Sequence, residues 1–151
     1  MRKIDPRIEA RLKSLKENAK LSLNRNEYSE ALSCLDLAID LNTTSFKLYR
    51  LRAIAHVCLG NFREAATDAD KIIELAPLLM DGYYHKGYAL FNLKEFSAAA
   101  HEFQQGLELN PNDQVLRKGF WDSIALVSQR RSNAKPDAPE QLPGQQELGA
   151  H

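Results

Sequence analysis

The sequence predicts an all-α protein: an α-solenoid of three helix hairpins closed by a capping helix. Three observations carry that prediction. A 34-residue unit, clearest over residues 80–113, repeats backwards without a gap to 46–79 and to 12–45. Within each half-unit apolar residues recur at intervals of three and four, the spacing of an amphipathic helix. Small residues hold the same two places in every unit, Ala19, Ala53 and Gly87 at position 8 and Ala31, Ala65 and Ala99 at position 20. A large side chain at either place would hold the paired helices apart.

The elements follow in order. Asp5-Pro6 suits a helix start, with Asp as N-cap and Pro at the first helical position. Over 6–24, Ile8, Leu12, Leu15, Ala19 and Leu23 form one stripe, and Arg25-Asn26-Glu27 breaks it. A partner helix over 28–41 aligns Ala31, Leu35 and Ala38, and Ser45 is placed to cap the next helix. That helix, over 46–59, stops at Gly60-Asn61; its partner over 62–75 stops at Ala76-Pro77, because proline disfavours a helical residue before it.

The third unit shows two helical runs joined by Lys94-Glu95 and ends at Asn110-Pro111. Aromatic residues at position 17 (Tyr28, Phe62, Phe96) and position 4 (Tyr49, Tyr83, with Leu15 in the first unit) are expected to fill the space around each hairpin crossing. An open solenoid end needs a cap. Residues 114–131, with Asp113 as N-cap and Val115, Leu116, Phe120, Ile124 and Val127 as an apolar stripe beside Trp121, supply it. The expected domain therefore covers 1–131. Residues 132–151, with three Pro, two Gly and two Leu, are too polar to offset the cost of ordering and read as a flexible tail.

Composition excludes several classes. Twenty Lys and Arg balance twenty Asp and Glu, so no global charge points to nucleic acid or anionic lipid. The first 58 residues nevertheless carry eleven bases against seven acids. No apolar run approaches the roughly 20 residues of a membrane span, and the charged N-terminus lacks the apolar core of a signal peptide. Cys34 and Cys58 have no paired spacing and read as two buried free thiols, which fits the cytosol or nucleus.

No catalytic motif is present. The glycines form neither a dinucleotide nor a phosphate loop, and His56, His85, His101 and His151 lack metal-ligand spacing. His56 and Cys58, two apart on a helix, point to different sides. The abundant acids read as solvated or weakly paired surface groups. Neither an enzyme, a cofactor nor a metal is expected. Bases interleave with an aromatic at Lys47–Arg52, but Tyr49 is a packing position, and three units would read too little nucleic acid.

The period, the marker residues Tyr83, Gly87, Ala99, Phe103 and Pro111, and the segments Leu15-Lys16-Glu17, Asn26–Leu32, Leu48-Tyr49 and Gly106–Pro111 resemble the tetratricopeptide-repeat (TPR) family, in particular the three-repeat modules of heat-shock co-chaperones. The resemblance covers residues 12 to about 127. It implies a right-handed superhelix whose first helix in each repeat lines a concave groove. That groove would present Lys13, Lys16, Glu17, Lys20, Leu23 and Asn24, then Lys47, Arg50, Leu51, Ile54, Val57 and Cys58, then Asp81, Tyr84, His85, Tyr88, Phe91 and Asn92. Five cations would gather at one end beside an apolar floor of Leu51, Ile54, Tyr84 and Tyr88 that packing does not require.

The resemblance also implies a comparison of residues. Those co-chaperones grip chaperone C-termini ending in Glu-Glu-Val-Asp through a five-residue carboxylate clamp. Lys16 stands where the clamp has lysine, whereas Lys20 and Leu51 stand where it has asparagine, Asp81 where it has lysine and His85 where it has arginine. Asp81 puts negative charge where a carboxylate would dock. Two functions remain. One is a protein-interaction adapter whose groove takes an extended or helical, partly acidic peptide through Lys13, Lys16, Lys20, Lys47 and Arg50, with Leu51, Ile54, Tyr84, Tyr88 and Phe91 as apolar pockets and His85 also facing the groove. The other is a structural scaffold that joins an assembly through its convex face and capping helix, with no groove ligand.

Overall fold

The computed structural model describes residues 4–134. Over that span the chain forms seven helices, α1 (Pro6–Asn24), α2 (Tyr28–Leu41), α3 (Phe46–Cys58), α4 (Phe62–Leu75), α5 (Asp81–Asn92), α6 (Phe96–Leu109) and α7 (Gln114–Ala134), and no strand among the described residues. The Arg7 N–H donates to Asp5 Oδ1 at 2.8 Å, and the Leu116 N–H donates to Asp113 Oδ1 at 2.9 Å, so both expected aspartate caps are formed. Ser45 occupies the N-cap of α3, but its side chain makes no capping bond. Helix α3 ends one residue early. Helix α7 runs three residues beyond its expected end, through Ser132–Ala134, because nothing in the sequence opposes a helix before Pro136. The remainder of the expected tail, 135–151, lies outside the described residues.

Each hairpin turns on one residue with left-handed backbone at position 15: Asn26 (φ 62°), Gly60 (φ 77°) and Lys94 (φ 64°). The following N–H then reaches back five residues, Glu27 to the Ser22 carbonyl, Asn61 to that of His56 and Glu95 to that of Leu90, at 2.8–2.9 Å. This is the Schellman closure, and it satisfies carbonyls that the helix end would otherwise leave bare. Glycine adopts the conformation freely and asparagine tolerates it, whereas lysine bears its full steric cost.

Every helix packs against its neighbours in sequence, and the odd-numbered helices also touch in turn, α1 with α3, α3 with α5 and α5 with α7. The even-numbered helices do not meet one another, so the odd set forms an inner layer and the even set an outer one. The small residues at positions 8 and 20 are buried in all three hairpins, which lets the layers approach closely. Around them lie one core cluster spanning α1–α4, including Leu15, Leu35, Leu48, Tyr49 and Ile72, and another built from Leu90, Phe103 and Leu116. Gly87 and Gly119 both face the Phe103 ring, and a Cβ on either would come within 2.9 Å of it.

Several sequence expectations need correction. Cys34 is half-buried and Cys58 exposed, both free, since Cys58 sits at the end of α3 on its solvent side. Within the α7 stripe only Leu116 is fully buried, joined by Ser123, whose hydroxyl donates to the Gly119 carbonyl. Val115 is 56% exposed and Trp121 62%, because α7 has hairpin three on one side only. The acids are not all surface groups. Arg52 on α3 is held between Asp36 on α2 at 3.0 Å and the buried Asp68 on α4 at 2.7 Å. One repeat later Lys86 on α5 sits between Asp70 on α4 at 2.8 Å and the buried Glu102 on α6 at 3.8 Å. Hydrogen bonding to Asp68, against the cost of burial, keeps Arg52 firmly charged.

Candidate functional site

The inner layer carries all the residues singled out for a groove, on α1, α3 and α5, and their surroundings divide it into three zones. The first is basic. Lys13, Lys16 and Lys20 recur on one face of α1, and Lys47 and Arg50 on α3. The Lys16 ammonium is pushed below the usual lysine range, first by partial burial and then by Lys20, Lys47 and Arg50, so these four cations share one field. Lys13, Lys16, Lys20 and Lys47 have no acidic partner within 4 Å among the described residues. Lys13 and Lys16 also line a cleft of about 250 Å³ with Leu12, Asn42, Ser45 and Leu48.

The second zone neutralises itself. Arg50 Nη1 lies 2.6 Å from Asp81 Oδ2, tying α3 to α5, and the guanidinium also sits 5.7 Å from the Phe46 ring centroid. Arg50 therefore differs from the four lysines with which the sequence groups it. His85, one turn after Asp81, is largely buried. Burial lowers its pKa, Asp81 offsets part of the drop and Arg50 adds to it, so the ring is neutral near pH 7.

The third zone is aromatic. The Tyr84 and Tyr88 rings stack at 6.1 Å, Tyr84 meets His85 edge-on at 5.1 Å, and Phe91 meets Phe96 edge-on at 5.2 Å. Burial raises the Tyr84 hydroxyl pKa, with Tyr88 and Asp113 adding to it. Tyr84, Tyr88 and Phe91 open onto a cavity of about 250 Å³ shared with Phe103, Val115, Lys118, Gly119 and Asp122. The expectation that packing does not need the apolar floor fails in part. Leu51 packs on the α1–α4 core, and Tyr84 and Phe91 pack on the α5–α7 core. Tyr88 is the exception, 40% exposed. Ile54 is half-buried. Sequence reasoning left out Val115 and Gly119, which line this cavity beside Tyr84, Tyr88 and Phe91. Continuing the 34-residue count into α7 puts them at positions 2 and 6, and that count was the available signal.

A larger hollow, about 430 Å³, lies between the start of α6 and the end of α7. It meets these zones only at Phe96, whose ring touches Phe91, and takes in none of their lysines or tyrosines. Among the described residues no group of His, Cys, Asp and Glu could hold a metal ion, and no helix is long and apolar enough to cross a membrane.

Paired helices stacked at a constant period, with one helix of each pair turned inward, define the class: an all-α repeat solenoid of helical hairpins. The hairpins have the 34-residue period of tetratricopeptide repeats. Residues 80–113 match the family model described as Tetratricopeptide repeat. The first TPR of Spaghetti (RPAP3) bound to the HSP90 peptide SRMEEVD superposes with a TM-score of 0.75 at 24% identity, over 79% of this chain and 94% of that one. The Sgt2 TPR domain from Aspergillus fumigatus superposes with a TM-score of 0.76 at 21% identity, over 89% of this chain and 87% of that one. In sequence the chain is similar to Hsp70-Hsp90 organizing protein 2 of Arabidopsis thaliana, 33% identical over 123 residues, 82% of this chain. It spans 19–37% of the length of the first three curated relatives it matches.

Proposed function

We propose that the chain is a protein-interaction adapter whose inner face takes an extended segment of a partner protein carrying acidic residues. The observation that supports this most is the set of four lysines on α1 and α3 with no acidic partner within 4 Å among the described residues, of which Lys16 is crowded by Lys20 and Lys47. Unpaired like charges held together cost free energy until an anion relieves them. A ligand carboxylate would do so through charge-assisted hydrogen bonds. The reading is co-chaperone-like: a similar domain is the one bound to SRMEEVD, and a chaperone C-terminus is one ligand of the required chemistry. Cytosol or nucleus is the matching location, and neither catalysis, nucleic acid nor membrane enters the proposal. The scaffold alternative draws no support from the relatives.

The experiment is calorimetric titration of the protein with SRMEEVD, with its C-terminally amidated twin and with a version in which alanine replaces both glutamates. Binding of the first two and not the third is expected. Failure of the acidic peptides to bind, at low ionic strength where the lysine field is least screened, overturns the reading.

A further inference from the structure

We infer that the cavity between α5 and α7 is an anchor site for one leucine- or phenylalanine-sized side chain of the bound segment. The inference rests on the groove reading above and deepens it. Tyr84, Tyr88 and Phe91 wall the cavity from α5, Val115 and Gly119 from α7, and Phe103 of α6 lies at its base. Its roughly 250 Å³ suits a single large side chain. Gly119 is what allows α7 to lie against the Phe103 ring, since a Cβ there would come within 2.7 Å of it. Tyr88 and Val115 leave apolar surface at the mouth that no core cluster uses.

Charge decides which way the occupant runs. At the rim of the cavity Lys118 and Asp122 pair with each other at 2.7 Å, and in the middle of the inner layer Arg50 and Asp81 do the same. Among the described residues, the groove charges left without an ion pair are Lys13, Lys16, Lys20, Lys47 and Glu17, all at the α1–α3 end, and their balance is positive. A segment that satisfies the whole face therefore sets its acidic residues against Lys16, Lys20 and Lys47 and its bulky apolar residue between α5 and α7. Those two places are about two helix spacings apart, roughly 20 Å at 8–10 Å each. An extended chain covers that in about six residues.

The test uses peptides blocked at both ends. Each has a Glu-Glu pair, a Gly-Ser spacer and one guest position holding alanine, leucine or phenylalanine, with spacers of two, five and nine residues. Leucine or phenylalanine is expected to bind about tenfold tighter than alanine, and only at the middle spacing. In V115R and Y88A, both changes at exposed positions, the affinity ratio of the leucine or phenylalanine peptide to the alanine peptide should fall to about one. On the phenylalanine peptide the Gly119 amide resonance should shift. Binding that ignores the guest overturns the anchor site and leaves the groove reading standing. A guest preference kept in both variants overturns this location for it. Absence of binding by every peptide overturns the groove reading and the anchor with it.

Discussion

The Arg50 guanidinium and the Asp81 carboxylate, 31 residues apart in sequence, meet at 2.6 Å across the inner layer. Each is about a third exposed, so the pair contributes no more than about 1 kcal/mol to folding. Its larger effect is on the field. Asp81→Asn should release Arg50 to the lysine cluster and raise affinity for an acidic peptide about two- to fivefold, while lowering stability slightly. Asp81→Lys should raise it further. Calorimetry and a urea midpoint on the same samples separate the two effects, and unchanged or weaker binding in both variants would place position 81 off the ligand path.

Lys16 is the lysine whose charge is opposed by partial burial and by the neighbouring Lys20, Lys47 and Arg50. Lys16→Ala is expected to weaken acidic-peptide binding by about 1–3 kcal/mol, the range for losing a charge-assisted hydrogen bond. Titrations over a series of salt concentrations should show a shallower slope for the variant than for the parent protein, because one cation fewer is screened.

Lys94 bears a backbone strain that its counterpart Gly60 does not, at φ 64° against 77°. Lys94→Gly should therefore stabilise the fold by about 0.5–1 kcal/mol, after allowance for the extra freedom glycine gives the unfolded chain. Gly60→Ala should cost about as much, although nothing lies within 4 Å of the added Cβ. Urea denaturation of the two single variants reads both signs.

Asp68 is 3% exposed and has Arg52 as its close cation. Arg52→Met removes that partner and leaves His56, 3.8 Å away, as the only other base paired with the carboxylate among the described residues. A loss of about 3 kcal/mol follows. Adding Asp68→Leu should recover most of it, since removing both charges is far cheaper than stranding one. Thermal melts of the single and double variants decide this.

His85 links stability to pH. Its pKa is lower in the folded protein than in the unfolded chain, so the unfolded state binds the proton first. The contribution of neutral His85 is complete above an unfolded pKa of about 6.5 and declines as pH falls toward its folded value. Melting temperature should drop across that acid window, and His85→Gln should flatten the drop. Equal slopes in the two proteins would count against the assignment.

Much of this was legible in the sequence because repetition multiplies weak signals. Gly60 marks one hairpin turn openly, and the 34-residue count then locates the same turn at Asn26 and Lys94, where local chemistry says little. The site was less legible. That Lys13, Lys16, Lys20 and Lys47 belong to the inner face is what the family resemblance implies, but nothing local says that Arg50 is neutralised from the next hairpin by Asp81. Pairings between repeats depend on side-chain reach across a helix crossing, which periodicity does not encode. Val115 shows the same gap from the other side: its place in an apolar stripe suggested core, and the absence of a neighbour beyond α7 left it at the mouth of a cavity.

The clamps at Arg52 and Lys86 have a consequence for how the protein comes apart. Arg52 belongs to the second hairpin but draws Asp36 from the first, and Lys86 of the third draws Asp70 from the second. A hairpin that frays takes with it half of the counter-charge its successor depends on. Repeat arrays can peel from an end when neighbours are loosely coupled. Here ion pairs straddle each junction and add to the helix packing shared between hairpins, so that losing one hairpin weakens the hold on the next.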